Sequence, residues 1–152
     1  MKKLILTFIV ALSIVVLVNG QDYKTGVGLR GGFSNGLTIK HFVTEKAAFE
    51  GMIALNAGNS NGFGLTGLYE IHNQAFEVEQ LKWYYGFGAH IGSFADSHVT
   101  NTVIGIVGIL GIEYSFTEAP INIGLDWKPL INLVGNSQFY PDGGALSIRY
   151  IF

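Results

Sequence analysis

The side chains that could do chemistry are ten: Arg30, Lys40, Glu50, Glu70, Lys82, His90, Glu113, Asp126, Lys128 and Arg149. Each falls on the polar phase of a run in which polar and apolar residues alternate, and the two signs are close to balance. Placed in a space too narrow for bulk water, such groups must pair or bear a large desolvation cost, so their expected role is an interior salt-bridge network that holds strands in register. A proton or ion path through Glu70, Glu113 and His90 is the sharper chemistry, and it would demand a continuous wet channel. Nucleophilic chemistry has one candidate, Asp96-Ser97-His98. Three adjacent loop residues rarely converge as orienter, nucleophile and base, so a polar loop is expected there. No phosphate loop, HExxH or metal-ligand spacing occurs, and GLRGGFSNG reads as strand and hairpin with no helix after it to bind phosphate. No catalytic residue, cofactor site or metal site is therefore expected.

The elements that position these charges show best in Leu81–Gly92. One phase reads Leu81, Trp83, Tyr85, Phe87, Ala89, Ile91; the other reads Lys82, Tyr84, Gly86, Gly88, His90, Gly92. A period of two with such unequal faces is a β-strand between two different media. Alternation alone does not say which face is inside, because a soluble lipocalin-like barrel also alternates, with its apolar face inward. Two features decide for the opposite orientation. The charge-bearing phase is crowded with glycine, where a soluble exterior would carry Lys, Glu, Ser and Thr. The apolar phase also holds too many rings for a small lumen. Lipid outside and a narrow polar axis inside make an eight-stranded antiparallel up-and-down transmembrane β-barrel, an all-β fold.

Composition agrees. Charged residues are only 13% of 152, against roughly 25% in an ordinary soluble domain, and glycine reaches 21 residues. Mean hydropathy is only +0.36, and beyond the first twenty positions no apolar run is long enough for a membrane helix. There is no cysteine, which excludes disulfides and thiolate zinc sites. Residues 1–20 read as a cleaved signal peptide, with Lys2 and Lys3, the apolar Leu4–Val18 and a small-residue exit at Gly20. That leaves 21–152 as one barrel domain. Loss of the two lysines moves the formal charge from −2 to −4, so a basic nucleic-acid surface is not expected.

Turn signals divide the mature chain into eight expected strands: 23–33, 37–43, 47–57, 63–72, 81–94, 102–116, 121–133 and 145–152. The loops expected between them include 73–80, 95–101 and 135–144. The phase has exceptions, with Met52, Leu68, Val107, Ile109 and Leu130 on the polar side and Gly51, Gly67, Gly108 and His41 on the apolar side. Tyr69, Trp83, Tyr85, Tyr114, Trp127 and Tyr150 are the expected aromatic girdle, with Tyr23 at the same level as the periplasmic members. Pro129 lacks a ladder donor, so pairing should loosen or bulge there.

GLRGGFSNGLTIK, LKWYYGFGAH, GIVGILGIEYSF, APINIGLDWKP and SIRYIF together resemble the small outer-membrane β-barrel proteins common in Bacteroidetes, akin in architecture to OmpX and the OmpA barrel. The resemblance implies an integral protein of the Gram-negative outer membrane, exported by its signal peptide. Its partners would be outer-membrane lipid, lipopolysaccharide and the barrel-assembly machinery. Ile148, Tyr150 and Phe152 look like the C-terminal signal read by that machinery. A monomer with a structural or surface-interaction role follows, with Phe139-Tyr140-Pro141-Asp142 as the outer aromatic patch. The alternatives are a lipid-modifying barrel enzyme, for which His41 has no serine beside it on its face, a minor porin-like channel, or the soluble lipocalin-like carrier.

Overall fold

The computed structural model describes residues 23–33, 35–56, 61–96, 99–135, 138–141 and 143–152. Its strand segments are β1 Thr25–Gly32, β2 Gly36–Phe42, β3 Ala47–Asn56, β4 Asn61–Ala75, β5 Val78–Asp96, β6 Val99–Ser115, β7 Ile121–Trp127, β8 Leu130–Val134, β9 Phe139–Tyr140 and β10 Gly144–Ile151. They build eight walls, since β8 prolongs β7 along β6, and β9 lies beside β8 as β10 lies beside β7. Every wall pairs antiparallel with its neighbours in sequence, and β1 pairs with β10 to close the ring. The chain is an all-β, eight-stranded, antiparallel up-and-down barrel.

The closure is staggered. From Arg30, the paired residues lead through Ser147 and Gly124 to Glu113 on β6. The other way round they lead through Gly36, Ala54, Gly64 and Gly92 to Val103, ten residues along the same strand. Such a stagger tilts the strands against the barrel axis. It brings side chains from non-adjacent walls to one level inside.

The two phases separate as expected. Leu29, Ile39, Phe49, Ile53, Leu65, Ile106, Leu125 and Ile148 stand on the outer wall, with Phe87 at 68% exposed and Trp127 at 47%. Arg30, Lys40, Glu50, Glu70, Glu113, Asp126 and Arg149 are buried within. An apolar-lined lipocalin-like interior is thus not the one this chain builds. Glycine on the inward phase makes the room: a Cβ on Gly111 would stand 2.5 Å from the Tyr84 ring, and one on Gly124 would stand 3.0 Å from Arg149 Nη1. The exceptions to the phase have a use as well, because Met52, Leu68, Val107 and Ile109 pack with Tyr84 and the half-buried Leu130 into an apolar cluster inside the barrel.

Outside, rings two residues apart on one strand meet each other: Trp83 with Tyr85 at 5.5 Å, Tyr114 with Phe116 at 5.0 Å, and Tyr150 with Phe152 at 6.2 Å. Tyr69 packs on Phe49 from the neighbouring strand. Trp127 donates its Nε1 proton to the Pro141 carbonyl. Ile148 lies on the same outer face as Tyr150 and Phe152.

The connections are shorter than the turn signals suggested. The stretch 73–80 is a two-residue turn at Phe76 and Glu77, both with positive φ (51° and 59°) as a tight hairpin turn of this kind requires. Gln74 faces Lys82 while Ala75 faces Val78, so Glu79, Gln80 and Leu81 bulge beside it. The expected loop 95–101 is mostly strand, leaving Ser97 and His98 outside the described residues. Within 135–144, Phe139 and Tyr140 pair with Ile131 and Leu130. Pro129 interrupts the seventh wall as expected, and the register with β6 runs straight past it. The offset falls on the other side, where Trp127 faces Gly144 but Leu130 faces Tyr140, one residue off the straight register.

The candidate functional site is a buried charge network

Lys40, carried inward by β2 and 0% exposed, sits at the centre. Its Nζ lies 2.9 Å from Glu70 Oε2, 3.1 Å from Glu113 Oε2, 3.3 Å from His72 Nε2 and 3.4 Å from Glu50 Oε2. The ammonium also stands 4.0 Å above the Tyr84 ring, whose other neighbour is the stacked His72 imidazole. Arg149, reaching in from β10, places Nη2 2.5 Å from Glu50 Oε1 and Nη1 3.8 Å from Glu113 Oε2. Its Nη1 donates to Asn122 Oδ1 at 3.1 Å, and the Thr38 hydroxyl donates to Glu50 Oε1. Tyr23, just before β1, turns into the barrel and donates its hydroxyl to Glu113 Oε1 at 3.0 Å. Burial and the Glu113 carboxylate hold that phenol well above its ordinary range, so it stays a donor.

A second group adjoins the first. Both terminal nitrogens of Arg30 donate to the two Asp126 oxygens, and the Tyr84 hydroxyl donates to Asp126 Oδ2 at 3.3 Å. The apolar cluster of Met52, Leu68, Val107 and Ile109 packs on the same tyrosine. Ions held this way tie together walls that share no backbone ladder: Lys40 on β2 to Glu113 on β6, and Arg30 on β1 to Asp126 on β7. Each of the four carboxylates lies at ion-pair distance from a lysine or arginine. The chemistry it performs is mutual neutralisation.

These seven of the ten sequence candidates gather in the two groups. The other three have different surroundings. Lys82 is half-buried with Nζ 5.6 Å from the Phe42 ring, and His90 shares a hydrogen bond with Thr66 Oγ1 at 2.9 Å. Lys128 lies half-buried in the gap between β7 and β8. The imidazole that meets Glu70 and Glu113 is His72, at 3.7 and 3.6 Å, and not His90. The path drawn through His90 therefore does not form.

The barrel also matches a known structure. Its fold is that of the OprF barrel. Against the crystal structure of the N-terminal β-barrel domain of Pseudomonas aeruginosa OprF the TM-score is 0.67, with 84% of this chain and 95% of that one covered. Sequence identity is 16%, so the likeness to OprF is one of fold alone. No family model matches the chain, and no curated protein matches it in sequence.

Sequence reading missed His72, Tyr84, Tyr23, Thr38 and Asn122 as members of the network. His72 carried a usable signal, sharing the inward phase two residues from Glu70. Tyr23 carried a misleading one, since the expected strand 23–33 put it on the outward phase of Val27, Leu29 and Phe33, whereas the observed β1 starts only at Thr25. On the outer wall, Thr25 Oγ1 lies 2.9 Å from His41 Nδ1, a threonine hydroxyl beside an outward histidine for which only serine had been considered. Among the described residues no carboxylate orients that imidazole by a hydrogen bond.

Proposed function

We propose that the chain is an integral outer-membrane β-barrel protein with an occluded, salt-bridged interior and a structural or surface-interaction role. The observation that carries this reading is the inverted partition of side chains, with rings and aliphatics on the outer wall and buried ion pairs on the axis. Water would be a poor solvent for that exterior, while hydrocarbon suits it and the aromatic pairs suit the headgroup level. Likeness to the OprF barrel supports the same placement. In this reading residues 1–20 direct export, lipid and lipopolysaccharide surround a monomer, and Ile148, Tyr150 and Phe152 engage the assembly machinery. Expression in a Gram-negative host should put the mature chain in the outer-membrane fraction with heat-modifiable migration. A mature chain that stays folded and soluble without detergent would reject the proposal.

A lipid-directed enzyme is the second reading, and the Thr25–His41 pair is the feature that favours it. Mass spectrometry of lipid A with the wild-type chain and with Thr25→Val separates the two. Identical profiles end the enzymatic reading.

A further inference from the structure

Two buried acceptors facing each other call for a hydrogen between them. Glu50 and Glu70, at 1% and 0% exposed, project inward from the paired strands β3 and β4, and each turns its Oε2 to the same Lys40 Nζ, at 3.4 and 2.9 Å. Glu50 Oε1 takes the Arg149 guanidinium and the Thr38 hydroxyl. Among the described residues, Glu50 Oε2 and both oxygens of Glu70 have no hydrogen-bond donor. Lys40 does not fill that need. It has three protons for four neighbours, and Glu113 and His72 take two of them in aligned hydrogen bonds. Its approach to Glu70 Oε2 at 2.9 Å is an ion pair out of line for a hydrogen bond, and Glu50 Oε2 is the farthest of the four. Leaving three carboxylate oxygens without donors costs heavily in a buried site.

We propose that Glu50 and Glu70 share one proton, Glu70 as the acid donating to Glu50 as the carboxylate, which makes the barrel interior a proton-binding site. A hydrogen on Glu70 supplies the missing donor to Glu50 Oε2 and leaves one negative charge, in place of two, for Lys40 and Arg149 to balance on that side. The groups around the pair are consistent with this assignment. Lys40 faces it from β2, His72 from β4, Tyr84 from β5, Glu113 from β6 and Arg149 from β10, with Asn122 and Asp126 on β7 and Tyr23 ahead of β1. His72 Nε2 receives the Lys40 proton in this arrangement, so the imidazole is neutral and Glu70 holds the extra hydrogen. When the proton leaves to solvent at rising pH, two carboxylates remain charged in a buried site and the stabilisation it gave is lost. The site depends on the closed barrel alone, wherever the protein resides.

Infrared difference spectroscopy of the full mature chain, refolded in detergent, tests the assignment. Folded wild type at neutral pH should show the C=O stretch of a protonated carboxyl, and Glu70→Gln should lack it. Because Gln mimics the protonated acid, Glu70→Gln should keep the wild-type urea midpoint, whereas Glu113→Gln should lower it. Absence of the protonated-carboxyl band in folded wild type overturns the proposal, even if the variants fail to refold. So does a loss of midpoint in Glu70→Gln as large as that in Glu113→Gln, or a band that survives Glu70→Gln and disappears in His72→Gln.

Discussion

Arg30 on β1 and Asp126 on β7 meet nitrogen to oxygen twice over, although the whole of β10 separates their strands. On β10, Arg30 is in register with Ser147 and Asp126 with Ala145, two residues away. A buried pair of this kind is costly to break and inexpensive to replace whole. Arg30→Met and Asp126→Leu should each lower stability by about 3–5 kcal/mol, because each leaves a buried partner unpaired. The double variant should recover most of that loss. Urea unfolding of the refolded barrel in micelles measures all four corners of the cycle, and additive losses would mean that the two residues do not act as a pair.

Lys40 has the most to lose by substitution. Lys40→Met removes the cation that contacts three carboxylates and leaves Glu70 and Glu113 facing each other. Refolding yield should fall sharply, with a loss on the order of 3–5 kcal/mol in whatever does fold. Heat-modifiable mobility gives the folded fraction, and a wild-type yield would contradict the central role given to this residue.

The outer wall can be probed at Phe87, which faces Gly108 and Tyr69 at the middle of the longest strand. Phe87→Arg should cost roughly 2–4 kcal/mol in a lipid bilayer, as an arginine placed near the midplane does. The inward neighbour Gly88 makes no useful control, since any Cβ there would stand 1.8 Å from the Gly67 carbonyl oxygen. His90→Arg, on the inward phase and half-buried, should cost much less. Equal losses at the two positions would contradict the assignment of faces.

Phe76 and Glu77 turn the chain from β4 to β5 in a conformation that suits Asn and Gly. Phe76 is 86% exposed, so little packing is given up when it is replaced. Phe76→Asn with Glu77→Gly should raise stability by about 1–2 kcal/mol by removing left-handed strain at two non-glycine residues. The same urea titration reads it, and a lowered midpoint would show that the Phe76 ring holds something in place.

Much of this was legible in the sequence because strand alternation is local. A period of two gives the face of each residue without knowledge of its partner, so the barrel and the seven charges buried in the two groups could be read from spacing. Which inward charges touch is a different matter. It depends on the ten-residue stagger, a property of the closed ring that no single strand carries, and this is why His72 meets Glu113 while His90 meets Thr66. Turns failed for another reason. Phe76-Glu77 has no glycine, asparagine or proline to announce it, and the polar residues around it extended the apparent loop to eight positions. Tyr23 opened the expected run 23–33 on its outward phase, but β1 starts at Thr25, so strand alternation does not govern its ring.

The break opposite Pro129 is a dropped stitch in the sheet. Neither Pro129 nor Pro141 has an amide to give, and the backbone there is pinned by Lys128 to Gly143 and Gly108 to Pro129. Thermal breathing should start at that seam, with deuterium entering the amides of Leu130 and Ile131 well before those of the unbroken β4–β5 ladder.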